Sequence, residues 1–282
     1  MFSSHLAVRT LSLLTLFVLF LVPAGCLRAS EKANSEKANS EKANSEKANP
    51  GKSEFLLRLK PREVPVRYKK SERLESSRHK QGKSANWNKY DSIDFLTVVF
   101  EPAGENVAEI AQVEERRMGV GDQKIATDRK LPESRKTLFT PRRQLVSLPP
   151  ADDETVSFPL IFPENPLMLG DTWTTTATAN KKLPEDIPLT HRLLAVTQVG
   201  GHQVAIIRTD AVSVARDQRT KIRLKLIYKA KRQVNLDDGM ILEERSNLFL
   251  EYVMPKPVAE GIDVLAHKVR TILEVVSTTG GE

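Results

Sequence analysis

One cysteine in 282 residues, Cys26, leaves the chain without an internal disulfide and excludes a cysteine-built zinc site. Histidine is nearly as scarce. His5, His79, His191, His202 and His267 are scattered, and none falls at a metal-ligating spacing from another. No Gly-x-Ser-x-Gly elbow and no Gly-x-x-x-x-Gly-Lys loop occurs, and Gly119-Val120-Gly121 lacks the third glycine of a nucleotide fingerprint. Paired carboxylates at Glu114-Glu115, Asp152-Asp153 and Asp237-Asp238 read as solvated turn or strand residues rather than an acid/base couple. These absences predict no catalytic, metal-binding or cofactor-binding residue and no cofactor, and they argue against an enzyme. Aromatic residues make up only 6% and do not interleave with the cations, so no nucleic-acid partner is expected. The longest charge-free apolar run, Leu11 to Val22, falls short of the roughly 20 residues that cross a bilayer.

That run has instead the form of an export signal over residues 1–25. His5 and Arg9 precede it, and Pro23-Ala24-Gly25 supplies a break and small residues. Val22-Pro23-Ala24-Gly25-Cys26 resembles the bacterial lipobox, in which the cysteine becomes the acylated N-terminus; Pro23 stands where that pattern usually has leucine. The resemblance implies lipidation at Cys26 and a membrane anchor. The alternative is ordinary cleavage after Ala29, which discards Cys26 and releases the chain. Acylation also removes a free thiol from an oxidising compartment. Leu27 and Arg28 follow Cys26 with no aspartate, which by resemblance to sorting in two-membrane bacteria favours the outer membrane.

Residues 26–53 form a spacer. Glu31 to Asn49 repeats Glu-Lys-Ala-Asn four times with serine between copies. A five-residue period matches neither helix nor strand and offers no large apolar side chain to bury. As flexible coil the spacer would reach roughly 30 Å, enough to lift a domain off lipid headgroups. Between Arg58 and Lys89 stand eleven Lys and Arg against three Glu, an excess larger than the +7 of the whole chain. Such a stretch predicts attraction to anionic lipid or anionic envelope polymer.

The remaining chain reads as β. From Ile222 to Leu236 the even positions are mostly apolar and the odd ones largely cationic, the signature of a strand with one buried face. Asp237-Asp238-Gly239 supplies a turn, and Met240, Leu242, Leu248, Leu250, Tyr252 and Met254 keep the same parity on the return. A second hairpin joins Leu193–Val199 to Gln203–Val214 through Gly200-Gly201-His202. Phe95–Phe100 and Lys268–Val276 read as further strands. Asn106–Met118 fits a helical face or a β ribbon, and its neighbours favour the ribbon. Pro149-Pro150 marks a boundary between residues 54–150, the basic stretch and an N-terminal β section, and residues 151–282, a C-terminal β section; 54–282 as one domain is the alternative. The fold class predicted is mostly β, a curved antiparallel sheet of half-barrel or sandwich type, with few or no long helices outside the signal segment.

Pro163-x-x-Pro166-x-x-x-Gly170-Asp171-x-Trp173 resembles a motif of uncharacterised exported bacterial β proteins. There it follows a segment similar to Val107–Asp128 and precedes a long strand, an Asp-Asp-Gly-like turn and a return strand. The likeness covers Ser92–Val276 and implies an exported β fold without an agreed activity. Trp173 reads as a core anchor delivered by a Gly170-Asp171 turn. Together these features predict an exported, lipid-anchored envelope protein, not an enzyme, that binds an amphiphilic ligand or an envelope partner. A scaffold attached to anionic polymer is the first alternative, and an exported hydrolase the last.

Overall fold

The computed structural model describes residues 53–120, 123–128, 134–147, 158–179, 183–257 and 261–278. Cys26, the repeat spacer, Pro149-Pro150 and Asp152-Asp153 lie outside the described residues.

All regular structure among the described residues is β, in one curved antiparallel sheet that does not close on itself. The strands are β1 (Arg62–His79), β2 (Trp87–Ala103), β3 (Asn106–Val120), β4 (Gln123–Asp128), β5 (Ser134–Phe139), β6 (Leu145–Ser147), β7 (Thr172–Ala177), β8 (Ile187–Val199), β9 (His202–Arg216), β10 (Arg223–Asn235), β11 (Ile241–Val253) and β12 (Val264–Thr278). Their order is β6-β5-β3-β2-β1-β12-β11-β10-β9-β8-β7, with β4 beside β3. Two meanders, one from each end of the chain, therefore meet where the first strand pairs with the last. Asn106–Met118 belongs to β3, and Gly119 continues that strand opposite Asp91 instead of turning.

The hairpin of β10 and β11 has the expected alternation, with two departures. Leu224, Leu226, Tyr228, Ala230 and Val234 are buried, but so is Arg232, at 3% exposure, on the same face. A bulge between Gln233 and Val234 then brings Ile241 opposite Val234, so that Ile241 rather than Leu242 is fully buried. The parity written in the sequence therefore fails at the turn, where the bulge uses one residue.

One face of the sheet, here the inner face, carries both hydrophobic cores. At one end Val66, Tyr68, Val98, Phe100, Ala205, Ile207 and Ile241 lie beneath two extended segments that bring in Leu57, Leu59, Leu160, Phe162 and Leu167. Those segments are held by the Phe55–Leu167 bridge and by Leu59 N donating to Pro141 O (2.7 Å) and Phe162 N to Arg142 O (2.7 Å). The second core gathers Ala177, Leu183, Ile187, Leu189, Leu224, Leu226, Tyr228 and Leu250.

The motif segment feeds the first core. Gly170, at φ 92°, turns the chain, Asp171 Oδ2 accepts from Met168 N, and Trp173 enters β7 half-buried with its indole Nε1 donating to Ile161 O. Trp173 also stacks on His191, ring centres 5.1 Å apart.

Candidate functional site

Directly opposed residues on adjacent strands share a face. On the inner face one cross-strand row is apolar over six strands. Tyr228 opposes Leu248, Leu248 opposes Val269, Val269 opposes Leu74, Leu74 opposes Tyr90, and Tyr90 opposes Val120. Burial declines along it. Tyr228 sits in the second core at 4% exposure, Leu248, Val269, Leu74 and Tyr90 are half-buried, and Val120 is 46% exposed. Five inter-strand steps of about 4.8 Å make a strip of roughly 24 Å.

Polar rows border the strip. On one side run Ser246, Thr271, Glu72 and Ser92; on the other His267, Ser76 and Asn88. Beyond the hydroxyl row, Arg116 Nε bonds Asp94 Oδ1 at 2.9 Å. The surface is thus amphiphilic: an apolar track with hydroxyls, an amide and an imidazole within reach of a polar head.

A buried polar cluster closes the covered end. Arg232 Nε donates to Glu244 Oε2 (2.8 Å), Nη1 to Thr209 Oγ1 (2.9 Å), and Nη2 to Tyr228 Oη (2.8 Å) and Phe158 O (3.1 Å). Phe158 stacks on Tyr228 at 4.1 Å. Burial opposes the Arg232 charge, yet Glu244 and Tyr228 outweigh it and hold the guanidinium above its ordinary pKa. Burial also raises the Tyr228 hydroxyl to about 12.

His191 completes the cluster, with Nδ1 2.8 Å from Thr209 Oγ1 and Nε2 2.7 Å from Thr175 Oγ1. A neutral imidazole satisfies both threonines, donating from one ring nitrogen and accepting at the other. Burial first, and Arg232 second, push the imidazole down to about 3, so His191 is neutral at ordinary pH.

The residues flagged in the sequence do not converge here. Of the basic stretch, Arg62, Arg67, Lys69, Lys70 and Arg73 are ion-paired with Asp238, Glu114, Glu274, Glu72 and Asp91. Neighbouring strands and the Asp-Asp-Gly turn thus supply much of the balancing charge that the linear stretch lacks. The carboxylate pairs are engaged as well: Glu115 with Arg117, Asp237 with His202, and Asp238 with Arg62 at 17% side-chain exposure, less solvated than expected. Among the described residues no cluster of three or more His, Cys, Asp or Glu could hold a metal ion. The apolar row has no signature in the sequence of β1, where Lys70 and Glu72 share a face with Leu74 and break any alternating pattern.

No family and no curated protein matches the chain. Among solved structures it is similar to lipovitellin, studied for its lipid–protein interactions, at 8% identity and a TM-score of 0.47, covering 79% of this chain and 26% of that one. It is also similar to DynF of the dynemicin biosynthesis pathway of Micromonospora chersina, at 7% identity and a TM-score of 0.22, over 85% of this chain and 92% of the other. A LolA superfamily protein from Nitrosomonas europaea matches at 8% identity and a TM-score of 0.14, over 75% of this chain and 87% of that one. The chain spans about a quarter of the lipovitellin chain.

Proposed function

We propose that this is an exported, lipid-anchored protein of the bacterial cell envelope that binds an amphiphilic ligand, without chemistry of its own, along the inner apolar row. The observation that carries the reading is the gradient from buried Tyr228 to exposed Val120. It leaves Leu248, Val269, Leu74 and Tyr90 as a half-covered apolar track in an open sheet. Uncovered apolar strips with polar borders are what ligand-binding surfaces present. The titratable groups at the covered end, Arg232, Glu244 and His191, are committed to one another and to threonines, which suits a structural role better than catalysis. Export and anchoring rest on the apolar run ending at Cys26, and outer-membrane placement on the absence of aspartate after it.

Three measurements test this. Protein purified from membranes in mild detergent is extracted and analysed by mass spectrometry, and binding of the fluorescent probe N-phenyl-1-naphthylamine is titrated. A copurifying lipid, and a loss of probe affinity of about tenfold or more in Leu74→Lys and Val269→Lys, are expected from burying a charge in the track. Lipid-free protein whose probe affinity ignores both substitutions rejects the site. Cys26→Ser should move the protein to the soluble fraction, and an unchanged membrane fraction rejects acylation.

A further inference from the structure

The opposite, outer face carries a different pattern. Its centre is a concavity of about 360 Å³ lined by Arg73, Glu75, Ile227, Lys229, Phe249, Lys268 and Arg270, among others. Like charges stand directly opposite one another here: Arg73 faces Arg270, and Arg208, Lys231 and Arg245 form a row over three strands. Such pairings are destabilising unless anions lie between them. Four carboxylates on this face are engaged, Asp91 by Arg73, Asp210 by Arg208, Glu243 by Arg245, and Glu75 by Lys268 at 3.9 Å, and Glu251 stands opposite Lys225. Lys231 and Arg270 stand opposite only cations or neutral residues, and Lys229 stands opposite Asp210, whose carboxylate is held by Arg208. Beside these cations runs an apolar row, Val212, Ile227 and Phe249, and Val214 lies next to it opposite Lys225. Val212 is 66% and Val214 73% exposed, the two most exposed large hydrophobic side chains in the described residues.

We infer that this outer face docks on an anionic lipid bilayer. Unpaired cations suit phosphate-bearing headgroups, at about 1 kcal/mol per Lys or Arg near the surface. The exposed valines suit the shallow interfacial zone beneath those headgroups. A soluble polyanion would satisfy the cations but gives the valines nothing to enter, so the two features together select a membrane. Leu248 and Val269 of the inner row also border the concavity, but Lys229, Arg270, Val212 and Val214, on which the inference rests, alternate onto the opposite face and are not part of that row.

The test uses the processed chain with Cys26→Ser, so that no acyl group contributes, sedimented with vesicles of phosphatidylglycerol mixed into phosphatidylcholine. Binding is expected to the mixed vesicles and not to phosphatidylcholine alone. Lys229→Gln with Arg270→Gln should weaken it about 25-fold, about fivefold per cation. Val212→Ser with Val214→Ser should weaken it severalfold without altering retention on dextran sulfate beads. All four side chains are exposed, and circular dichroism confirms that the variants fold; Lys231→Gln, about fivefold weaker, is an independent check. Equal binding to neutral vesicles, or indifference to the glutamine pair, overturns the inference. So does indifference to the valine pair, which would make the face a site for soluble polyanion.

Discussion

Arg232 and Glu244 face each other across β10 and β11 with Nε and Oε2 2.8 Å apart, on the face where alternation asks for two hydrophobic side chains. Removing one partner leaves a buried charge unpaired, which costs about 3–5 kcal/mol. Arg232→Met and Glu244→Leu should therefore each lower the urea-unfolding free energy by about that much. The double variant leaves no orphaned charge, and should be more stable than the sum of the single losses predicts by at least about 2 kcal/mol. Additive losses would show that the two residues stabilise the sheet separately.

His191 links stability to pH. Its folded value, pushed down to about 3, lies below the usual 6.5, so the unfolded chain binds the proton more readily. Stability from this group is complete above about pH 6.5 and declines as pH falls toward 3, by at most about 1.4 kcal/mol per unit. Unfolding midpoints should fall between pH 7 and pH 5 in the native protein. His191→Gln keeps a donor and an acceptor for Thr175 and Thr209 but cannot titrate, so its midpoint should change less over that range. Parallel slopes for the two proteins would remove His191 as the source.

What could be read from the sequence and what could not divides along the source of the information. Alternation in β10 is local: Lys225, Lys229 and Lys231 against Leu224, Leu226 and Tyr228 fix which side is wet. Trp173 and the Gly170 turn were legible for the same reason, since turn chemistry is written in neighbouring residues. The apolar row is not local. Leu74, Tyr90 and Val269 come together only through the pairing of β1 with both β2 and β12, and no window of sequence contains that pairing. Some ion pairs of β1 are equally remote, as Glu274 and Lys69 lie 205 residues apart. Arg232 gives no local signal because its partner, Glu244, lies across the bulged hairpin, and an isolated arginine in an apolar run reads as an irregularity.

Gly239 offers the sharpest test of how the first core is covered. It occupies φ 71° in the Asp237-Asp238-Gly239 turn, and a Cβ there would stand 2.3 Å from Arg58 O and 2.7 Å from Leu59 N. The neighbour is backbone, part of the extended segment that buries Leu57 and Leu59 and is fixed by Lys60 N donating to Asp238 O at 2.9 Å. It cannot rotate out of the way. Gly239→Ala should therefore carry two penalties, about 1 kcal/mol for a left-handed alanine and about 1–3 kcal/mol for overpacking. Gly200→Ala is the matched control: φ is 57° in the β8–β9 turn, and nothing lies within 4 Å of its added Cβ. It should lose only the conformational part. The difference between the two unfolding free energies isolates the contact between the turn and the covering segment. Equal losses would mean that residues 53–60 do not rest on this turn in solution, and the first core would then be open on that side.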